Sequence, residues 1–398
     1  MKTVSRLGVV LPLVVAAVTA GGVSSAFAKD HRYQIDYTFK CDATSGAYPE
    51  GNLIADKAGN LYGATYAAGA GFGTVFRLTR HGALTVLYTF QGKYHGDGAN
   101  PAAGLITDKA GNFYSTTFEG GTDNDGTVFE LTPSGTETVL HSFTGGSDGS
   151  NPLAGLIMDK KGNLYGTTTE GGPDGYSGGT VFEVTPSGIK TVLYTFTGGS
   201  DGGNPIGGLL ADGVGNLYGT ASTGGSDGNG TVYRIAPGGS ETTLHTFTGG
   251  SDGGSPRAAL IADAAGNLYG TTYAGGSSGY GVVFEITPNG TETVLHSFIG
   301  SDGANPEADL ILDGAGDFYS TTYAGGTGDY GTIFKLAPNG TETVLYSMLG
   351  GNDSTWPIAG VIKDSAGEKG YLFGTATAGG VGGGLYQYGC GTVFELKK

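Results

Sequence analysis

The residues equipped for acid–base or ionic chemistry are Glu50 and Asn52, Arg257, and Glu307 and Asp309, each at the start of a short apolar segment. The matching segments elsewhere open on small residues, at Gly104, Gly155, Gly208 and Gly360. Glu307 or Asp309 paired with Glu50 would supply the two carboxyls that act as acid and base on a glycosidic bond. Arg257 and Glu307 stand at equivalent positions, so an ordinary ion pair is the simpler expectation for them. A second group is aromatic: Trp356, the single Trp, with Tyr386 and Tyr388 in one Gly-rich stretch and Tyr48 far upstream. Flat rings side by side form a stacking platform for sugars. The competing role is packing of long loops.

Other chemistries are poorly supplied. Asp97, Asp148, Asp201, Asp252, Asp302 and Asp353 each precede a Pro by four residues. Calcium requires six to eight oxygens from several groups, whereas one Asp per loop suits turn formation, so no metal is expected. His141, His245 and His296 occupy a position held elsewhere by Tyr37, Tyr88, Tyr194 and Tyr346, which marks a structural slot. His31, His81 and His95 are scattered without ligand spacing. Runs such as Gly145-Gly146-Ser147-Asp148-Gly149 have Gly-x-Ser-x-Gly spacing but read as loops between strands, not as strand-to-helix nucleophile turns; phosphate-loop, Cys-x-x-Cys and His-Glu-x-x-His patterns are absent, and no cofactor is expected.

The elements that must position these residues are repeated. Gly-Thr-Val-Phe-x-Leu recurs seven times with small variations, from Gly73–Leu78 to Gly391–Leu396. An Asp closing an apolar run keeps the same beat from Asp56 to Asp364. Gly makes up 80 of 398 residues without the collagen period, which suits many short strands and tight turns. In the second copy, strand A is expected at Ala103–Asp108, B at Asn112–Thr117, C at Thr127–Leu131 and D at Glu137–Phe143. Val128 and Phe129 are both apolar though adjacent, as in sheets buried on both faces. Radially stacked four-stranded blades satisfy that pattern, so the fold class is all-β, a seven-bladed β-propeller. Its A–B and C–D turns share one face. The longer D–A and B–C loops share the other, which is the expected working face.

The phase of the repeat sets the ring closure. Tyr33–Phe39 matches a D strand but has no A, B or C before it, while the last unit, Ile358 to Leu396, lacks a D strand. The N-terminal strand is therefore expected to pair with the C-terminal one and complete the seventh blade. Carrying the C–D register of the second unit to the seventh puts Gly391 opposite Phe39 and Cys390 across from Cys41. A Cys41–Cys390 disulfide is expected, worth at most about 5 kcal/mol by loop entropy. The seventh unit also departs from the others through the extra Glu368, Lys369 and Gly370 and a B–C loop extended through Gly380–Gly389.

Units such as Val139-Leu140-His141-Ser142-Phe143-Thr144-Gly145-Gly146-Ser147-Asp148-Gly149, followed by Asn163-Leu164-Tyr165-Gly166-Thr167-Thr168 and Gly179-Thr180-Val181-Phe182, resemble the GloVer (Gloeobacter/Verrucomicrobia) tandem repeat. The resemblance spans essentially all of residues 29–398. It implies an exported bacterial protein and brings no catalytic motif with it. Some proteins with this repeat carry a C-terminal surface anchor, and no such segment is seen here, which favours a soluble protein.

Residues 1–28 read as a signal peptide: Lys2 and Arg6, the apolar run Leu7 to Ala20, then Ala26-Phe27-Ala28 as a cleavage site. Residues 29–398 then form one domain, periplasmic or secreted, expected to be a monomer. Its 18 basic and 36 acidic residues leave a net charge of −18. That surface repels nucleic acid and anionic lipid, and no later apolar run has membrane length. The expected function is binding of an extracellular ligand, a glycan before a protein. The alternatives are a carbohydrate-active hydrolase or lyase working at the channel mouth, and a purely structural or protein-interaction ring.

Overall fold

In the computed structural model, residues 32–67, 71–172, 178–363, 370–380 and 388–398 are described. They form seven four-stranded antiparallel sheets in the order A-B-C-D, with no α-helix among them. Blade 1 comprises Ile54–Ala55, Leu61–Thr65, Thr74–Leu78 and Leu84–Thr89. Blade 5 comprises Ile261–Ala262, Leu268–Ala274, Val282–Ile286 and Glu292–Ser297. Blade 6 comprises Ile311–Leu312, Phe318–Thr322, Thr332–Leu336 and Glu342–Ser347. Blade 7 takes Ile362–Lys363, Tyr371–Ala376 and Thr392–Lys397 from one end of the chain and Tyr33–Thr38 from the other.

The expected closure is present. Thr38 pairs with Thr392 and Tyr33 with Leu396, the Phe39 amide donates to the Gly391 carbonyl, and Cys41 is bonded to Cys390 with Cα atoms 5.4 Å apart. Gly391 has φ +97°, and a Cβ there would fall 2.4 Å from Pro49 Cδ of the next loop. The repeated Gly before Thr-Val-Phe is thus the point where one blade's C strand meets the next blade's Pro.

Strand A is the element whose extent differs from expectation. In blade 2 its ladder covers only Ile106–Thr107, not Ala103–Asp108. Residues 102–104 instead line the channel, where no further strand exists to pair with them. Strand D of blade 2 ends at Ser142, one residue short of Phe143.

Packing lies between blades rather than within them. Each seam holds one hydrophobic cluster, built from the Phe that follows one blade's D strand and a C-strand ring of the next, with Met348 in place of that Phe between blades 6 and 7. Phe143 meets Phe182 edge-on at 5.2 Å, and Phe298 meets Phe334 likewise. All four are fully buried. Val128 belongs to the cluster with Phe143 and Phe182, and Phe129 to the one with Phe90, so adjacent apolar residues serve opposite seams.

The A–B turns repeat a single device. Asp108 Oδ1 accepts from the Ala110 and Asn112 amides, and Oδ2 accepts from the Asn112 amide group and the Tyr114 hydroxyl. These donors hold the Asp108 carboxyl below its usual range, against the opposing effect of partial burial. Asp364 of the seventh turn lies outside the described residues.

On the opposite face, every D–A loop pairs with its own blade's B–C loop. The pairs run from Ala47 with Ala67, through Gly98–Ala99 with Glu119–Gly120 and Gly254 with Ala274, to Ser354–Thr355 with Ala378–Gly379. The loop face is stitched into a collar.

Candidate functional site

The channel opens on the loop face as a cavity of about 280 Å³ whose lining includes Glu50, Asn52, Arg257, Glu307 and Asp309. These positions follow the Pro of each D–A loop. Ala102, Leu153, Ile206 and Ile358 stand where blades 1, 5 and 6 carry Glu50, Arg257 and Glu307. The polar groups therefore gather on one side of a channel that is otherwise apolar.

Arg257 Nη1 donates to Glu307 Oε1 at 2.5 Å, as expected, and its guanidinium lies 3.8 Å from the centre of the Tyr273 ring. Burial pushes the Glu307 carboxyl up, and the Arg257 charge opposes this. Glu50 has no such counter-charge. Burial, reinforced by the negative charge of Glu307, raises it to about 7. Burial thus raises both carboxyls of the cavity, and only Glu307 has a cation beside it to oppose the shift.

Asp309 is engaged otherwise. It is partly buried and accepts from the Asn52 side-chain amide at 2.6 Å and from the Ala259 backbone amide at 2.7 Å. Burial raises its carboxyl and these two donors oppose that. Asn52 Oδ1 in turn accepts from the Gly360 amide at 2.7 Å. A single hydrogen-bonded thread thus joins the entrances of blades 5, 6, 1 and 7. Both oxygens of Asp309 are engaged in that thread, whereas Glu307 is held through Oε1 by Arg257 and Glu50 has no counter-charge.

The aromatic group adjoins this mouth. Trp356 stacks at 6.2 Å on Tyr323, lies 4.9 Å from Tyr388 and 6.5 Å from Tyr330. Tyr388 is 53% exposed. Tyr323 connects the rings to the carboxyls: its hydroxyl is raised by burial first and by the Glu307 charge second. Tyr386 lies outside the described residues. Tyr48 occupies the position of Trp356 one loop further on, but packs into the seam cluster of Phe39 and Cys390.

The backbone beneath Trp356 and Tyr48 is unusual. The residue before the Pro is left-handed in all seven D–A loops: Tyr48, Asn100, Asn151, Asn204, Ser255, Asn305 and Trp356, with φ from 50° to 59°. Asn tolerates this region. Its side chain also reaches the preceding blade, as Asn305 does to the Tyr273 carbonyl at 2.9 Å and Asn100 to the Tyr66 carbonyl at 3.0 Å. Only the two loops flanking blade 7 place an aromatic side chain there. The sequence reading missed Tyr66, Tyr273 and Tyr323, which share one repeat position at the end of strand B in blades 1, 5 and 6, where blade 2 has Phe118 and blades 3, 4 and 7 have Thr169, Ser222 and Thr377. Aligning the repeats on strand B would have exposed them.

The D–A loop aspartates act as the turn chemistry implied. Asp97 accepts from the Gln91 amide and the Tyr88 hydroxyl, and Asp148 accepts from the Thr144 amide and pairs with His141. The Tyr/His slot holds its loop in both forms.

Fold and site together define a seven-bladed β-propeller whose loop-face mouth is polar and aromatic on one side only. A profile described as Gloeobacter/Verrucomicrobia repeat matches residues 71–275 and 258–398, and the chain belongs to that family. Among curated proteins nothing matches. Solved structures similar in fold include virginiamycin B lyase from Staphylococcus aureus, 13% identical with TM-score 0.59, over 92% of this chain and 99% of that one. Others are a puromycin hydrolase mutant, 15% identical with TM-score 0.55, over 87% of this chain and 53% of that one, and a chain of the mitotic checkpoint complex, 12% identical with TM-score 0.55, over 99% and 98%. At such identities the likeness is one of fold.

Proposed function

We propose that this protein is an exported binding module that holds a glycan at the loop-face mouth of its channel. The observation that carries the proposal is Trp356: the repeat's usual Asn is replaced by a ring held in left-handed backbone, beside Tyr388 and Tyr323. Rings set at a polar cavity suit the apolar faces of a sugar, while Arg257, Glu307 and Glu50 suit its hydroxyls. Acidic groups outnumber basic ones at the mouth, which favours neutral or amino sugars over uronates. The disulfide supports export, as does the basic-apolar start of the sequence. No described helix is long and apolar enough to cross a membrane. A monomer is the state proposed.

A second reading, hydrolysis or elimination at a glycosidic bond, is favoured by the contrast between Glu50, raised to about 7, and Glu307 beside Arg257. One experiment addresses both: the purified protein is screened against neutral, amino and acidic polysaccharides, reading titration calorimetry for binding and new reducing ends for cleavage. Binding without cleavage, lost in Trp356→Ala, is the expected result. Cleavage abolished by Glu50→Gln would move the assignment to an enzyme, and absence of both signals would end the glycan reading.

A further inference from the structure

The outer seam between blades 5 and 6 brings together three groups that belong to different repeats. His296 lies on the D strand of blade 5, Asp302 in the D–A loop that follows, and Glu342 at the start of the D strand of blade 6. His296 Nε2 lies 3.0 Å from Asp302 Oδ2, and one ligand atom from each of the three residues falls within 4.8 Å of the others. Glu342 Oε1 is shut off from solvent and has no hydrogen-bond partner among the described residues.

Two comparisons within the molecule show what this place demands. At the seam of His141 and Asp148, the repeat position of Glu342 is Lys190, whose ammonium lies 2.7 Å from Asp148 Oδ1 and also bonds the Asp148 carbonyl. That seam supplies its own cation. At the seam of His245 and Asp252, the matching residue is Glu292, whose Oε1 is buried without a hydrogen-bond partner, while His245 Nε2 stands 3.6 Å from Asp252 Oδ2, beyond hydrogen-bond distance. An orphaned Glu oxygen is thus found at both seams where a His/Asp pair faces a Glu, and also at Glu137 opposite Tyr88 and Asp97, while the seam that carries the Lys shows none among the described residues. An imidazole and two carboxylates suit a Zn²⁺-class ion with water completing its shell. Too few oxygens are present for calcium.

We infer that His296, Asp302 and Glu342 form a binding site for a divalent transition-metal ion of the Zn²⁺ class. The ion occupies the place of the Lys190 ammonium and clamps blade 5 to blade 6. The loop it fixes runs from Asp302 through Pro306 to Glu307, so the clamp also holds one wall of the channel mouth.

The test uses untagged full-length protein stripped with a chelator, then titrated with ZnCl₂ by calorimetry and by thermal unfolding. His296→Tyr is expected to fold, since Tyr88, Tyr194 and Tyr346 fill the same slot. Glu342→Lys copies the Lys190 arrangement. Wild type should take up Zn²⁺ with a rise in unfolding temperature, and each variant should weaken that uptake by about 100-fold or more. No uptake by wild type, or uptake that persists unchanged in both variants, would overturn the assignment.

Discussion

Replacing Trp356 by Asn separates a binding ring from a packing ring. Position 356 is left-handed at φ 54°, a conformation costing a residue with a Cβ roughly 1–2 kcal/mol and Asn less. Asn would also face the Tyr323 carbonyl, the counterpart of the acceptors used by Asn100, Asn151 and Asn305 at 2.9–3.1 Å. One such hydrogen bond adds about 1 kcal/mol. Against this stands the loss of a half-buried indole, about 1–2 kcal/mol of apolar burial. The terms nearly cancel, so Trp356→Asn should unfold within about 1 kcal/mol of wild type. Trp356→Ala, which loses the ring and gains no bond, should fall below Asn by about 1 kcal/mol or more. Guanidinium unfolding followed by circular dichroism reads this, because the only Trp is gone from both variants. Glycan binding should disappear in both. If Asn is no more stable than Ala, the backbone argument fails. If binding survives in Asn while stability drops by several kcal/mol, the ring is a packing element and the assignment of the mouth is refuted.

Other expectations follow from the same geometry. Reducing the disulfide, or replacing Cys41 and Cys390 by Ser, should lower stability by up to about 5 kcal/mol, read as a reductant-dependent unfolding midpoint; an unchanged midpoint would deny the latch any role. Phe182→Ala, emptying the seam between Phe143 and Val184, should cost about 3–5 kcal/mol by chemical denaturation, far more than the same change at exposed Tyr94. Glu50 holds a proton when folded up to a pH of about 7, against an ordinary 4.5 when unfolded. Its contribution is therefore complete below the lower value and lost as pH rises through the upper one. Unfolding midpoints should fall between pH 5 and 8, and Glu50→Gln should remove about 1–3 kcal/mol of that fall. An equal pH profile in the variant would show that the carboxyl is wetter than the cavity implies.

Much of the fold was legible because each blade repeats the same local instructions. Asp108 with Gly111 and Asn112 makes a turn wherever it occurs, and Val128 beside Phe129 implies two buried faces irrespective of what fills them. The unpaired D strand at Tyr33 and the missing one after Leu396 implied each other. The register of a single hairpin then carried Cys390 to Cys41. The site was less legible. Trp356 stood out as a departure, but nothing in its neighbourhood in the sequence announced Tyr323, thirty-three residues earlier, as its stacking partner. Asp309 and Asn52, 257 residues apart, read as free polar groups until the ring placed them in one thread.

What the chain determines by itself is the blade: turn chemistry, alternation and strand count depend on residues a few positions apart, and their energetics are settled locally. The circle decides everything between blades. Seam clusters, the channel thread, the pairing of Arg257 with Glu307 and the meeting of His296 with Glu342 all require residues from different repeats to converge at a fixed angle. That angle comes from packing seven sheets around an axis, a property of the closed ring and of no single repeat.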